Sequence, residues 1–209
     1  MSYQNYRPLS FGEIPFVTKN LIIINVLLFV FTNYVIRTVD FNAYLDLHTI
    51  NTGGFKPHQF VTHMFMHASI SHLAFNMFGL YLFGSKLESL WKSKRYINFY
   101  LVCGLAAAAV QFAVYYYTNQ PAVMLGASGA IAGLMGATGY LFPNSDISLF
   151  MFPPIKYKYF VPLYFVASWY RGYMAAPGDN TAHFAHIGGL VAGIIIVFIR
   201  NKTNKQDFY

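Results

Sequence analysis

The chain has 209 residues, of which 56% are hydrophobic and only 10% charged, with a formal net charge of +7. A soluble domain carries about 25% charged residues, so this composition excludes a globular protein with an ordinary wet surface. The basic residues are scattered between apolar stretches, which excludes a nucleic-acid-binding stripe and fits the cytoplasmic bias of Lys and Arg in membrane proteins. One cysteine, Cys103, excludes an intrachain disulfide and reads as a core residue within "LVCGLAAAAV".

In chain order, residues 1–17 are polar and form an expected short cytoplasmic segment with no signal peptide. Six apolar stretches follow, at about 20–36, 62–84, 96–117, 123–142, 159–175 and 182–199. The fifth is the weakest, because it contains Pro162 and runs into Arg171. With the N-terminus in the cytoplasm, eleven basic residues fall on the cytoplasmic side, from Arg7 and Lys19 to Lys205. Only Arg37, Lys56 and Arg171 fall outside. This bias supports an even number of spans with both termini cytoplasmic. The mixed aromatic and polar stretch 37–61 is expected as a long outer loop lying partly in the interface. Residues 143–158 form a Pro-bounded cytoplasmic loop, and 201–209 a polar cytoplasmic tail. The predicted fold is therefore an all-α polytopic bundle of six transmembrane helices, with a single domain over 18–200.

Polar residues inside a membrane are costly, so each needs a reason. Span two carries His63, His67, His72 and Asn76, span four Ser128, and span six His183 and His186. Spans two, four and six all start on the outer side. Ser128 lies eight residues past Gln120 and His186 six past Asn180, which puts both about 10 Å below their loops. A serine and an imidazole at one depth can serve as nucleophile and general base. No carboxylate lies at this level, since Asp146 and Asp179 are in loops and Glu88 is at the cytoplasmic end. The expected unit is a dyad. Asn76 and His72, four residues apart on one helical face, could donate to an oxyanion, as could the backbone N–H of Ser128 near a helix start. Gly126 and Gly129 would let backbone approach closely or turn tightly around the serine.

More ordinary readings compete. A serine in a membrane helix usually bonds its own backbone, and the stripes Gly129, Gly133, Ala137 and Ala185, Gly189, Gly193 are chiefly packing devices. That packing also favours the dyad, because it would draw spans four and six together. A zinc site from His63, His67, His72 and His183 is the chemical rival, but there is no H-E-x-x-H and no carboxylate to complete it. No metal or other cofactor is expected. His48 and His58 read as loop residues, and His63 and His67 as residues that hydrogen-bond the outer loop or one another.

Three motifs in order, "HASISHLAFN" at 67–76, "GASG" at 126–129 and "AHIGGLVAG" at 185–193, resemble the rhomboid family of intramembrane serine proteases. The resemblance covers about 18–200 and implies the following. Ser128 would be the nucleophile and His186 the general base. His72 and Asn76 would line the oxyanion hole, and His67 would be structural. Gly189 and Gly193 would make the close contact with span four. Substrates would be single-pass or polytopic membrane proteins, cut near the outer face within the bilayer, without cofactor. The lack of a targeting peptide favours a prokaryotic plasma (inner) membrane. A non-proteolytic relative that binds transmembrane segments is the alternative, and a transporter would call for carboxylates or repeats that are absent here. The oligomeric state and the natural substrate are not encoded legibly.

Two positions depart from the family pattern. His58-Gln59 stands where many members have Trp-Arg, so the first loop must be held differently. Ala132 stands four residues after Ser128, where an aromatic often packs on the catalytic imidazole. Phe184, or an aromatic from another span, is expected to orient His186 instead.

Overall fold

The computed structural model describes residues 13–36, 38–149, 153–174 and 181–203. The expected segment 1–17 is thus described only from residue 13 and the tail 201–209 only to 203. Arg7, Arg37, Asp179, Asn180 and Lys205 lie outside the described residues.

Apolar side chains cover the outside of the molecule. Phe16, Leu27, Val35, Phe75 and Leu163 are all more than half exposed, while Thr18, Asn25, Glu88, Gln111 and Thr138 are buried. That inversion suits a lipid solvent, in which backbone groups must be satisfied within helices. Among the described residues, Phe16–Val35, Ile70–Tyr117 and His183–Thr203 are long and apolar enough to cross a membrane. The chain is a largely helical, polytopic integral membrane protein.

Helix α1 (Phe16–Val30) continues into a π-helical turn at Phe31–Val35. A short helix α2 (Phe41–Leu45) and strand β1 (Leu47–His48) follow, then helix α3 (Gln59–Thr62). Helix α4 (Ile70–Gly79) runs through a π turn into α5 (Ser85–Tyr117), which breaks at Lys92, where φ is 63°. Just before that break, the buried Glu88 carboxylate accepts from the N–H groups of Val17 and Thr18 at 2.8 and 2.7 Å. It thereby caps the otherwise unsatisfied start of α1. Strand β2 (Val123–Met124) leads to α6 (Ser128–Leu141). A hairpin of β3 (Asp146–Ile147) and β4 (Ile155–Lys156) opens α7 (Tyr157–Tyr173), and α8 (His183–Thr203) closes the fold.

Helix α6 is the centre. Residues 129–138 are buried without interruption, the pattern of a helix surrounded by protein on all sides. It packs chiefly on α8 and α5, and α8 also packs on α5. Cys103 on α5 is fully buried against Gly133 of α6, so it is a core residue.

Two helix starts differ from the sequence expectation. Span two becomes regular helix only at Ile70, because the Ser69 side chain accepts from the His72 N–H at 3.1 Å and caps α4. Span four begins at Ser128 rather than 123, because Val123–Met124 are extended and pair antiparallel with His48 and Leu47.

That pairing ties the first loop to the segment before Ser128, and Gln59 holds the loop in turn. Gln59 is fully buried. Its Oε1 accepts from the N–H groups of Lys56 and His48 at 3.0 and 3.2 Å, and its Nε2 donates to the carbonyls of Gly54 and Tyr44 at 3.1 and 3.4 Å. An arginine could only donate. The neutral amide serves both kinds of backbone group, which is how this loop is held with glutamine at position 59. Packing of Phe55 and Phe60 on Phe112 of α5, with ring centroids 5.3 and 5.4 Å away, secures its outer part.

Candidate active site

The approach of α6 and α8 depends on absent side chains. A Cβ at Gly189 would run into the Gly129 carbonyl oxygen, and one at Gly193 into that of Gly133. A Cβ at Gly129 would collide with Ala107 of α5. Small residues therefore let the two backbones touch. This contact carries His186, on the second turn of α8, to Ser128, the first residue of α6. Nε2 of His186 and Oγ of Ser128 lie 2.9 Å apart, although the residues are 58 apart in sequence. With Nε2 unprotonated, the hydroxyl is the donor, which is the arrangement a general base needs.

The turn before Ser128 is shaped by Gly126. Its φ is +115°, a conformation that only glycine adopts readily. A Cβ there would also meet Nε2 of His72 at 2.7 Å and would approach Nδ2 of Asn76 at 3.9 Å. Two nitrogen atoms from α4 thus crowd the backbone two residues before the serine. Nδ1 of His72 accepts from the Ala68 N–H at 3.4 Å. That leaves the proton on Nε2, the nitrogen facing Gly126. The Asn76 amide gives one N–H to the His72 carbonyl at 2.8 Å, and its second N–H is a further donor. The N–H of Ser128 belongs to the first turn of α6, where no intrahelical acceptor exists. The Gly126 N–H itself donates to the carbonyl of His63 at 2.8 Å, so α4's approach segment also holds the turn.

The remaining histidines fall into place. Nδ1 of His63 bonds the Gln59 carbonyl at 2.8 Å, tying it to the outer loop as expected. The buried His67 bonds neither the outer loop nor His63, contrary to expectation: both its ring nitrogens lack a hydrogen-bond partner among the described residues, and it packs edge-on to His72 with centroids 5.1 Å apart. His48 and His58 bond loop carbonyls of Asn42 and Tyr44. Among the described residues, no group of three or more His, Cys, Asp or Glu is placed to hold a metal ion. The site's own chemistry is that of imidazoles, amides and a hydroxyl.

Position 132 is a fully buried alanine, and Phe184 does not replace the missing ring. Its ring turns toward α7, where a Cβ on Gly172 would meet it at 2.9 Å. The ring beside His186 is Tyr164 of α7, at 6.0 Å between centroids and tilted by 34°. Sequence reasoning allowed for an aromatic from another span but did not single out Tyr164. Its place in the apolar face of span five, two residues after Pro162, was the only available signal.

Ser128, His186, His72, Asn76 and Gly126 line a single cavity of about 1300 Å³. Phe75 and Phe78 of α4 and Phe160 and Tyr164 of α7 continue its walls. It is large enough for an extended peptide segment. Outside the spans, Asp46 is buried beside β1, and its Oδ1 has no hydrogen-bond partner. Burial, reinforced by the nearby Asp40, pushes its carboxyl up to about 7.

A family model described as the Rhomboid domain matches residues 55–203. The chain is 30% identical over 147 residues to the mitochondrial Rhomboid protein 1 of Saccharomyces cerevisiae, covering 68% of this chain and 42% of that protein. It is 27% identical over 150 residues to the rhomboid protease GlpG of Haemophilus influenzae, covering 71% and 72%. With the rhomboid protease GluP of Bacillus subtilis it shares 31% over 133 residues, covering 64% and 24%. The chain spans about half the length of the first curated relatives it matches.

Proposed function

The chain belongs to the rhomboid family, and from that premise we propose that it is an intramembrane serine endopeptidase whose dyad is Ser128 and His186. The 2.9 Å contact between their side chains carries the proposal.

The reaction runs as acyl transfer. Oγ of Ser128 attacks the scissile carbonyl carbon while Nε2 of His186 takes the hydroxyl proton. The oxyanion that develops meets the Nε2–H of His72, an N–H of Asn76 and the backbone N–H of Ser128. Collapse breaks the C–N bond, and His186 returns its proton to the leaving amine. Water, deprotonated by the same imidazole, then attacks the acyl-enzyme ester, and Ser128 leaves with the proton restored. None of these steps calls for a cofactor.

Substrates are proposed to be transmembrane segments of other membrane proteins, cut near the outer face. Both active residues lie at the outer ends of their helices in the proposed topology of six spans over 18–200, with both termini cytoplasmic. The distribution of Lys and Arg supports that orientation. The proposed location is a prokaryotic plasma membrane. Similar proteins carry bacterial, mitochondrial and chloroplast names, so family membership does not choose among these membranes.

The test is cleavage of a tethered transmembrane substrate by the reconstituted protein, alongside Ser128→Ala, His186→Ala and a chelator. Loss in both variants with no effect of chelator is the expected result. Labelling of Ser128 by a fluorophosphonate distinguishes a selective protease from a protein that only binds transmembrane segments. Cleavage that survives Ser128→Ala sinks the mechanism.

A further inference from the structure

Resting on the protease reading, we infer that Tyr164 of α7 is the positioning residue that holds the His186 imidazole toward Ser128. The geometry around the imidazole leads there. Among the described residues, His186 has one hydrogen-bond partner, Ser128. No carboxylate or carbonyl engages its other nitrogen to fix the ring plane, the task a triad gives its third member. A single bond at one ring atom leaves rotation about the side chain open, so packing must set the orientation.

Helix α6 supplies no ring for this purpose. Ala132, one turn beyond Ser128 on the same face, offers a methyl group alone. Two rings lie against His186. His183, at 6.3 Å and perpendicular, sits one turn earlier on α8 and travels with it. Tyr164, at 6.0 Å and tilted by 34°, comes from α7 and is the one ring partner of His186 from a different element among the described residues.

Helix α7 is sparsely buried for its length. Of its 17 residues only Tyr157, Val161 and Ser168 are buried. Leu163, Val166, Trp169 and Tyr173 face outward. Pro162, two residues before Tyr164, removes a helix hydrogen bond and softens the helix there. Tyr164 also lines the cavity, as does Phe75 of α4. A peptide segment in the cavity therefore touches the same ring that orients the base.

Tyr164→Leu removes the ring and Tyr164→Phe keeps it, with Tyr164→Met standing in should leucine lower the melting temperature. Two quantities are read in reconstituted protein: fluorophosphonate labelling of Ser128, which needs no substrate helix, and kcat and KM for a transmembrane substrate. Removing the ring is expected to slow labelling and kcat together, about tenfold or more, with KM within twofold of wild type. Tyr164→Phe is expected to stay within about threefold on both. A Leu variant that labels as fast as wild type but shows a raised KM overturns the inference, because Tyr164 then only lines the substrate path. A Phe variant as slow as Leu also overturns it, since the hydroxyl and not the ring would matter. Wild-type protein that does not label at Ser128 removes the protease reading and this inference together. A labelled wild type beside an equally fast Leu variant removes the inference alone.

Discussion

Helices α6 and α7 are neighbours in sequence and in space, yet they are held in opposite ways. Helix α6 is buried along ten consecutive residues and meets α8 backbone to backbone through Gly129, Gly133, Gly189 and Gly193. Helix α7 has three buried residues, an internal proline and an outward face of large apolar side chains. Its inner end rests on α6 where Val161 lies against Gly139, and its outer end meets Phe184 at Gly172. The lesson is a division of labour. The element that bears Ser128 cannot shift without breaking the core, whereas the element that bears Tyr164 and walls the cavity can move at low cost.

The largest effect that could break this comparison is expected at Gly189. Gly189→Ala drives a methyl into the Gly129 carbonyl, so about 3 kcal/mol or more of stability should be lost and Ser128 labelling with it. Thermal unfolding together with labelling checks this, and a variant that melts and labels like wild type would show that α6 and α8 are not rigidly joined. Next comes Gln59. Its replacement by Ala strands two backbone N–H groups and two carbonyls, at a cost of about 2 kcal/mol. Proteolysis of the first loop should accelerate while the α6–α8 contact survives. Val161→Ala sharpens the other side of the comparison. It should lower the melting temperature only slightly, corresponding to about 1 kcal/mol, and should speed substrate entry measured as a faster pre-steady-state phase. A loss as large as at Gly189 would mean that α7 is as firmly built in as α6.

The smallest expected effect is a pH dependence at Asp46. Its carboxyl titrates near 7 in the folded protein against an ordinary value of 3.8. Between those values the folded chain binds a proton that the unfolded chain has released. Stability therefore falls as pH rises from about 4 to about 7 and levels off above. Asp46→Asn should flatten that slope in melting curves taken across the window. An unchanged slope would mean that Asp46 keeps its ordinary titration.

Much of the site was legible before the fold. Ser128, His186, His72 and Asn76 stood out because polar groups in an apolar stretch demand a reason, and their depth followed from span ends and residue rise. The glycine stripes announced close packing. Helix starts were less legible: Ser128 opens α6 because Val123 and Met124 are claimed by β1, a pairing with no local signature in two residues. The same holds for Gln59, whose four backbone partners are gathered by tertiary folding of the loop rather than by any sequence spacing. Phe184 was a reasonable candidate to steady His186 by adjacency, but the helical turn points it at α7 instead.

By itself, the sequence determined the solvent and the candidate chemistry. Apolar length, basic bias and small-residue spacing are one-dimensional quantities that bilayer thickness and helix periodicity convert directly into spans and faces. Only the tertiary structure decided which side chains meet. The 2.9 Å contact of Ser128 with His186, the place of His72 against Gly126, and the use of Tyr164 on α7 rather than a ring on α6 depend on how helices far apart in the chain dock. Docking angle and rotation are set by the sum of many small packing contacts across elements, which no single stretch of sequence contains.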